Sequence, residues 1–207
     1  KVMAADCTGN PHPIIPRSAH LPIIEITARH NIQPLHQGKL DGLCGLYAAI
    51  NALRLVLHDH HALTNAGTKR LFEQGAFYLE RKGALREALA HGMETRRWHG
   101  LVRHMVKRAS PDTFSIELER AAFGRKPAIG DIFDWIDASL SRNSPVLIQL
   151  DKGLNHFSVV AASTQSSLHL FDSCGHRFVK RTSCGIQTGF HHIPPNALLR
   201  MTARQRC

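Results

Sequence analysis

Acidic side chains are scarce in this 207-residue chain: 16 Asp and Glu stand against 26 Lys and Arg, a formal net charge of +10. Aromatic residues make up 6%, and there are five cysteines, an odd number. So few cysteines exclude a disulfide-stapled scaffold. No run of about 18 apolar residues occurs, so no membrane-spanning helix is written into the sequence. Internal repeats and low-complexity tracts are also missing. What is there suits a packed domain. Hydrophobic residues reach 43% and charged residues 20%, which excludes a disordered chain. The length fits one domain, or one domain with an ordered extension. A chain of this size buries roughly 70% of its unfolded surface and needs no disulfide or metal to hold it. Residues 2–10 lack the apolar core of a signal peptide, so the expectation is a cytoplasmic protein unless a targeting segment has been removed.

A basic surface attracts nucleic acid, anionic lipid or an acidic protein. The densest cations, Arg96-Arg97, Arg103 and Lys107-Arg108, recur at helical spacing and read first as one solvated helix face. No RNP, zinc-finger or helix-turn-helix signature accompanies them. The expected partner is therefore a protein or peptide, with the charge favouring an acidic one, rather than nucleic acid. Oligomeric state is not legible. The 15 histidines are mostly neutral at pH 7 and add positive charge below about 6.5.

Residues 1–36 are rich in Pro and His and read as an extended segment laid on or over a core, with one short strand at 21–27. Residues 44–57 read as a helix: Leu46, Ile50, Leu53 and Leu57 recur at three- and four-residue spacing. That helix is apolar nearly all round, so it belongs at the centre. Further helices are expected at 68–81, 84–92 and 96–109, the last stopped by Ser110-Pro111-Asp112. A short strand at 113–119 and an amphipathic helix at 131–141 follow. Three strand-like runs come next, at 145–150, 156–162 and 167–172, with edge strands at 177–180 and 189–193. Helices first and an antiparallel sheet second is an α+β arrangement.

The strongest local signal is Gln37-Gly-Lys-Leu-Asp41-Gly-Leu-Cys44-Gly45. It places a cysteine in the first turn of the buried helix. Unpaired N–H groups and the positive end of the helix dipole favour the thiolate there, and the thiolate is the nucleophile. Gln37, seven residues upstream, has an amide NH2 that with the Cys44 N–H forms an oxyanion hole. His156 stands at the start of a strand, on the rim of a cleft. Asp172 ends the next strand, and two antiparallel strands joined by a short turn bring 156 and 172 side by side. A carboxylate there holds the imidazole tautomer and stabilises the imidazolium.

Each residue also has a plainer reading. Cys44 could be a small buried hydrophobe, His156 one packed histidine among fifteen, Asp172 an Asx turn before Ser173, and Gln37 a loop cap. Asn155 or Asp151 could orient the histidine instead of Asp172. Asn51 reads as a buried structural polar residue. His58-Asp59-His60-His61 reads as an exposed turn after the helix rather than a metal site. Cys174, His176 and Cys184 supply part of a zinc set without an evident fourth ligand, and His191-His192 add only paper candidates. A Cys174–Cys184 disulfide is open if the protein leaves the cytosol. Cys7 and Cys207 lie near the termini and carry no expected role.

Taken together, Gln37…Asp41-Gly-Leu-Cys44-Gly-Leu-Tyr-Ala-Ala-Ile-Asn51, then Asn155-His156-Phe-Ser-Val-Val160, then Leu168-His-Leu-Phe-Asp172-Ser resemble the papain-like cysteine peptidase superfamily. Within it they are most similar to compact bacterial branches such as double-glycine leader peptidases and papain-fold effectors. The resemblance covers about residues 33–175. It implies a papain-like fold in which the central helix carries the cysteine and an antiparallel sheet carries His and Asp. The catalytic domain would then be residues 37–207, with a helical insertion at 58–130 and the extended segment 1–36 ahead of it. It also implies Cys44 as nucleophile, His156 as general base and acid, Asp172 as orienter and Gln37 in the oxyanion hole, with no metal or organic cofactor. An effector of this kind would be secreted or translocated into a target cell. The same site serves a peptidase, a deubiquitinase-like isopeptidase or a protein glutamine deamidase. A non-catalytic binding module on the same scaffold, with a basic surface, is the reading from another class.

Overall fold

The computed structural model describes residues 23–110 and 113–205. Residues 1–22 of the expected extended segment, the helix stop at Pro111, and Cys7 and Cys207 lie outside those residues. The chain first makes a short strand, β1 (Ile24–Glu25), and a 3-10 turn at Thr27–His30. Four helices follow: α1 (Cys44–His61), α2 (Asn65–Arg81), α3 (Leu85–His91) and α4 (Thr95–Ala109). After β2 (Phe114–Arg120) and α5 (Ile129–Leu140), the rest is mainly strand: β3 (Val146–Leu150), β4 (His156–Ser163), β5 (Ser167–Leu170), β6 (Phe178–Lys180), β7 (Cys184–Gly185), β8 (His191–His192) and β9 (Leu199–Gln205). The architecture is α+β.

The main sheet is antiparallel throughout, in the order β2-β9-β3-β4-β5-β6, with β1 paired to the far end of β4 through Ile24 and Ser163. β4 is its centre. It packs against both α1 and α5 and is buried at all eight positions, so both of its faces are covered. α1 is nearly as deep. Leu46, Ile50, Leu53 and Leu57 are fully buried, and the helix is walled by β4 and β9 on one side and by α2 and α4 on another. Asn51 is also fully buried. Its side chain accepts from the Leu35 N–H at 2.7 Å and donates to the Leu35 carbonyl at 3.1 Å, so a lone buried amide on the central helix clamps the incoming chain. Ile26, with no exposure, and the Arg54 guanidinium on the Gln33 carbonyl fix the same segment to the core.

Several boundaries differ from the sequence reading. α1 runs four residues past Leu57, so His58–His61 is its last turn rather than a turn beyond it. α2 begins at Asn65 because Thr64 caps it, its Oγ accepting from the Gly67 N–H at 3.0 Å. β5 stops at Leu170, so Asp172 lies in the turn past the strand and not at its end. β8 forms no edge of the main sheet. It pairs in parallel with β7, and the Asp151–His192 bridge links it to the residue after β3. β9 has no counterpart in the sequence reading, yet it is the strand that joins β2 to β3.

Candidate active site

The turn into α1 is built by local hydrogen bonds. The Gln37 side-chain NH2 donates to the Asp41 carbonyl. The Asp41 carboxylate in turn accepts from the Leu43 N–H at 3.0 Å, and the Gly42 N–H donates to the Leu89 carbonyl at 2.8 Å. A Cβ on Gly42 would fall 2.6 Å from the Ala88 carbonyl oxygen and 2.8 Å from the Gly92 nitrogen. Only glycine lets the turn dock on the end of α3. Cys44 is the first helical residue and is 8% exposed. Leu43, at the cap position, supplies no side-chain hydrogen bond to the first turn. The Leu46 N–H donates to the Leu43 carbonyl at 2.8 Å, which leaves the Cys44 and Gly45 N–H groups uncapped at the start of α1, where they can meet an anion.

Opposite stands the first residue of β4. His156 Nε2 donates to Asp172 Oδ2 at 2.7 Å, with His156 5% and Asp172 2% exposed. The Cys44 sulfur lies 3.9 Å from the Gly42 carbonyl and close enough to the same imidazole to raise its pKa. With Nε2 taken by Asp172, Nδ1 is the nitrogen left for the sulfur. Asp172 is saturated: Ser158 Oγ donates to Oδ2 at 2.6 Å, while the Cys174 and His176 N–H groups donate to Oδ1 at 2.8 and 3.0 Å. Asp172 and not Asn155 or Asp151 thus holds His156. The Asp151 carboxylate instead accepts from Gln149 at 2.6 Å.

Gln37 belongs to the same neighbourhood. Its backbone N–H donates to the Ser173 carbonyl at 3.0 Å and its side-chain Oε1 accepts from Ser173 Oγ at 3.4 Å. This orientation leaves one amide hydrogen on Nε2 beyond the bond to Asp41. The structure therefore brings all four expected residues together: Gln37 with Asp172 through Ser173, Asp172 with His156, and His156 with Cys44.

Two residues that sequence reasoning missed complete the frame. Ser158 lies two positions beyond His156 on β4, on the same face of the strand, which is the signal that could have found it. Trp98 of α4 is fully buried. Its Nε1 donates to the Gly45 carbonyl at 3.0 Å, and its ring packs on Phe157 with centroids 4.3 Å apart. It thereby couples the residue after Cys44 to the residue after His156. The helices at 85–109 are scaffold for the site rather than an appendage.

Electrostatics favour a charged pair. Burial alone would lower the His156 pKa, but the hydrogen bonds to Asp172 and Cys44 and the charges of both raise it to about 9. Burial alone would raise that of Asp172. The His156 and Ser158 hydrogen bonds, the imidazolium charge and the His176 N–H hold it down at about 2. Across neutral pH the pair is imidazolium and carboxylate. The neighbouring thiols are pushed the other way. Partial burial and the Asp172 charge raise Cys174, and burial raises Cys184 to about 11.

The other candidates fall apart. Cys174 and Cys184 are both free thiols, so the Cys174–Cys184 disulfide is not made. Cys184 faces the Lys180 carbonyl at 3.4 Å, apart from the proposed zinc partners. Among the described residues, the group that gathers three metal-binding atoms within 4.8 Å is His156, Asp172 and Cys174. Two of these are already bonded to each other, so a metal there would have to replace the His156–Asp172 hydrogen bond. His176 stands edge-on to His156, with centroids 5.4 Å apart. Among the described residues no helix is long and apolar enough to cross a membrane. The chain matches no protein-family model and no curated protein sequence, so the chemistry of the site rests on this geometry.

Proposed function

We propose that the protein is a thiol acyl-transfer hydrolase with a papain-like arrangement, acting on an amide carbonyl of a protein or peptide. The observation that carries this reading is the buried His156, bonded through Nε2 to Asp172 at 2.7 Å with Cys44 close enough to act on its charge. A nucleophile, a base and an orienter stand in sequence at one point.

In this reading the Cys44 sulfur attacks the carbonyl carbon. The tetrahedral oxyanion meets the uncapped N–H groups of α1 and the second amide hydrogen of Gln37. Imidazolium His156 gives its proton to the leaving nitrogen, and the C–N bond breaks to leave a thioester on Cys44. Water, deprotonated by His156, then attacks the thioester, releasing the acid and restoring the thiolate–imidazolium pair. Asp172 stays ionised throughout, holding the tautomer and offsetting the positive ring.

Peptide bond, isopeptide bond and glutamine side chain differ only in the nitrogen that leaves. The test is therefore a protein digest of mixed composition, plus lysine-linked conjugates, treated with the wild type and with Cys44→Ala. New peptide termini mark a peptidase, freed lysine side chains an isopeptidase, and glutamine turned to glutamate without cleavage a deamidase. No product that separates the wild type from Cys44→Ala would overturn the hydrolase reading.

A further inference from the structure

We propose that the groove between α2 and α4 is a docking site for an acidic protein segment that seats an apolar side chain beside Phe77. The groove holds a cavity of about 310 Å3 with Phe77, Tyr78, Arg81 and Lys82 on one wall and His104 and Arg108 on the other. No carboxylate lines it. Among the described residues none of Arg81, Lys82, Lys107 and Arg108 has a carboxylate within 4.0 Å. The field is strong enough to act on its neighbours: burial, then Arg108, Arg81 and Lys107, together push the His104 pKa down.

The plain alternative is that these cations serve the helix ends, since all four lie at or next to the last turn of α2 or α4. Each helix C-terminus carries only about half a negative charge. Four full charges against two halves leave about +3 uncompensated.

The shape selects among anions. Gly75 of α2 packs at Met105, while Tyr78 reaches back to Gly100, so the two helices run antiparallel and their cations sit toward opposite ends of the groove. A compact phosphate prefers converging backbone N–H groups at a helix N-terminus, and this groove is lined from the later parts of both helices. Spaced, flexible cations suit carboxylates spaced along a chain instead. Phe77 is 58% exposed, with the Arg81 guanidinium 5.9 Å from its ring centroid. A large exposed ring inside a charged rim is the usual form of an apolar anchor point. The site is independent of the chemistry at Cys44.

The test uses the whole chain and a fluorescein-labelled glutamate-rich peptide with one central leucine, followed by fluorescence anisotropy. Binding is expected, weakening as salt is raised. The double charge reversal R81E/R108E should weaken it roughly tenfold or more, and R81Q/R108Q by less. The reversal R125E/K126E carries the same change of net charge elsewhere and should leave affinity in place. Phe77→Ser should erase the preference for leucine over serine in the peptide. Cys44 alkylation at wild-type rate in every variant shows that the fold is intact. Equal losses in both charge reversals would overturn the proposal, because net charge alone would then explain binding. So would an affinity that R81E/R108E leaves unchanged, or a single-stranded oligonucleotide that binds more tightly than the peptide through Arg81 and Arg108.

Discussion

Ser158 donates a 2.6 Å hydrogen bond to the same Asp172 oxygen that receives the proton-bearing Nε2 of His156. The carboxylate is thus held from two directions along one face of β4. Ser158→Ala removes a bond to a charged, buried group, a loss of about 1.5–3 kcal/mol in the pair's stabilisation. The Asp172 pKa should rise from its lowered value, because the Ser158 hydrogen bond is one of the contacts that hold it down, and the acid loss of stability should move to higher pH in urea melts. Ser158→Thr should restore most of it. An unchanged acid limb in Ser158→Ala would show that Asp172 needs no such support.

The pH dependence follows from the signs of the two shifts. The folded His156 pKa is raised to about 9, so its contribution is fully present below the ordinary histidine value and fades as pH rises through about 9. The folded Asp172 pKa is lowered to about 2, so its contribution is present above the ordinary carboxylate range and fades as pH falls through about 2. The two shifts describe one interaction and count once, on the order of 2 kcal/mol. Urea melts should show stability dropping between pH 7 and 10 in the wild type, and a flatter profile in His156→Ala. The alkaline limb of turnover should lie near pH 9.

Gln37→Ala separates two kinds of chemistry at one sulfur. Alkylation by iodoacetamide displaces iodide and forms no oxyanion, so its rate at Cys44 should change little. Turnover of an amide passes through a tetrahedral oxyanion and should fall by a factor of about 10²–10³. Equal slowing of both reactions would assign Gln37 to shaping the turn through Asp41 instead.

Trp98→Ala should cost about 3–5 kcal/mol, because a fully buried indole and its bond to the Gly45 carbonyl are lost together. Trp98→Phe keeps most of the packing and should melt closer to wild type while still slowing Cys44 alkylation, since the tie to the nucleophile's turn is gone. A normal alkylation rate in Trp98→Phe would confine Trp98 to the core.

The site was more legible in the sequence than the sheet was. Cys44 and His156 open α1 and β4, whose apolar patterns are strong, while Gln37 and Asp172 lie in the loops next to α1 and β5, so their meeting could be read from those elements and the short turn between β4 and β5. Asp172 shows the limit. Its partner was correct, yet β5 stops at Leu170 and its register on β4 shifts between Val160 and Ala162, and no local pattern announces either. β9 was missed although Leu199, Met201 and Ala203 alternate with Arg200, Thr202 and Arg204; its place in the sheet depends on β2 and β3, which lie far away in sequence. Trp98 was invisible for the same reason. Its helix shows an amphipathic face, but only the tertiary contact with Gly45 and Phe157 ties that face to the site.

The most direct measurement is iodoacetamide labelling across pH 4–9, with each cysteine read by peptide mass spectrometry, in the wild type and in His156→Ala. The account predicts that Cys44 labels first and keeps labelling well below pH 8. Exposed Cys174 should lag it and buried Cys184 should stay nearly inert, because both have raised pKa values. His156→Ala should abolish the low-pH labelling of Cys44. If Cys44 labels no faster than Cys174, or only after unfolding, the thiolate–imidazolium pair does not exist and the catalytic account is wrong.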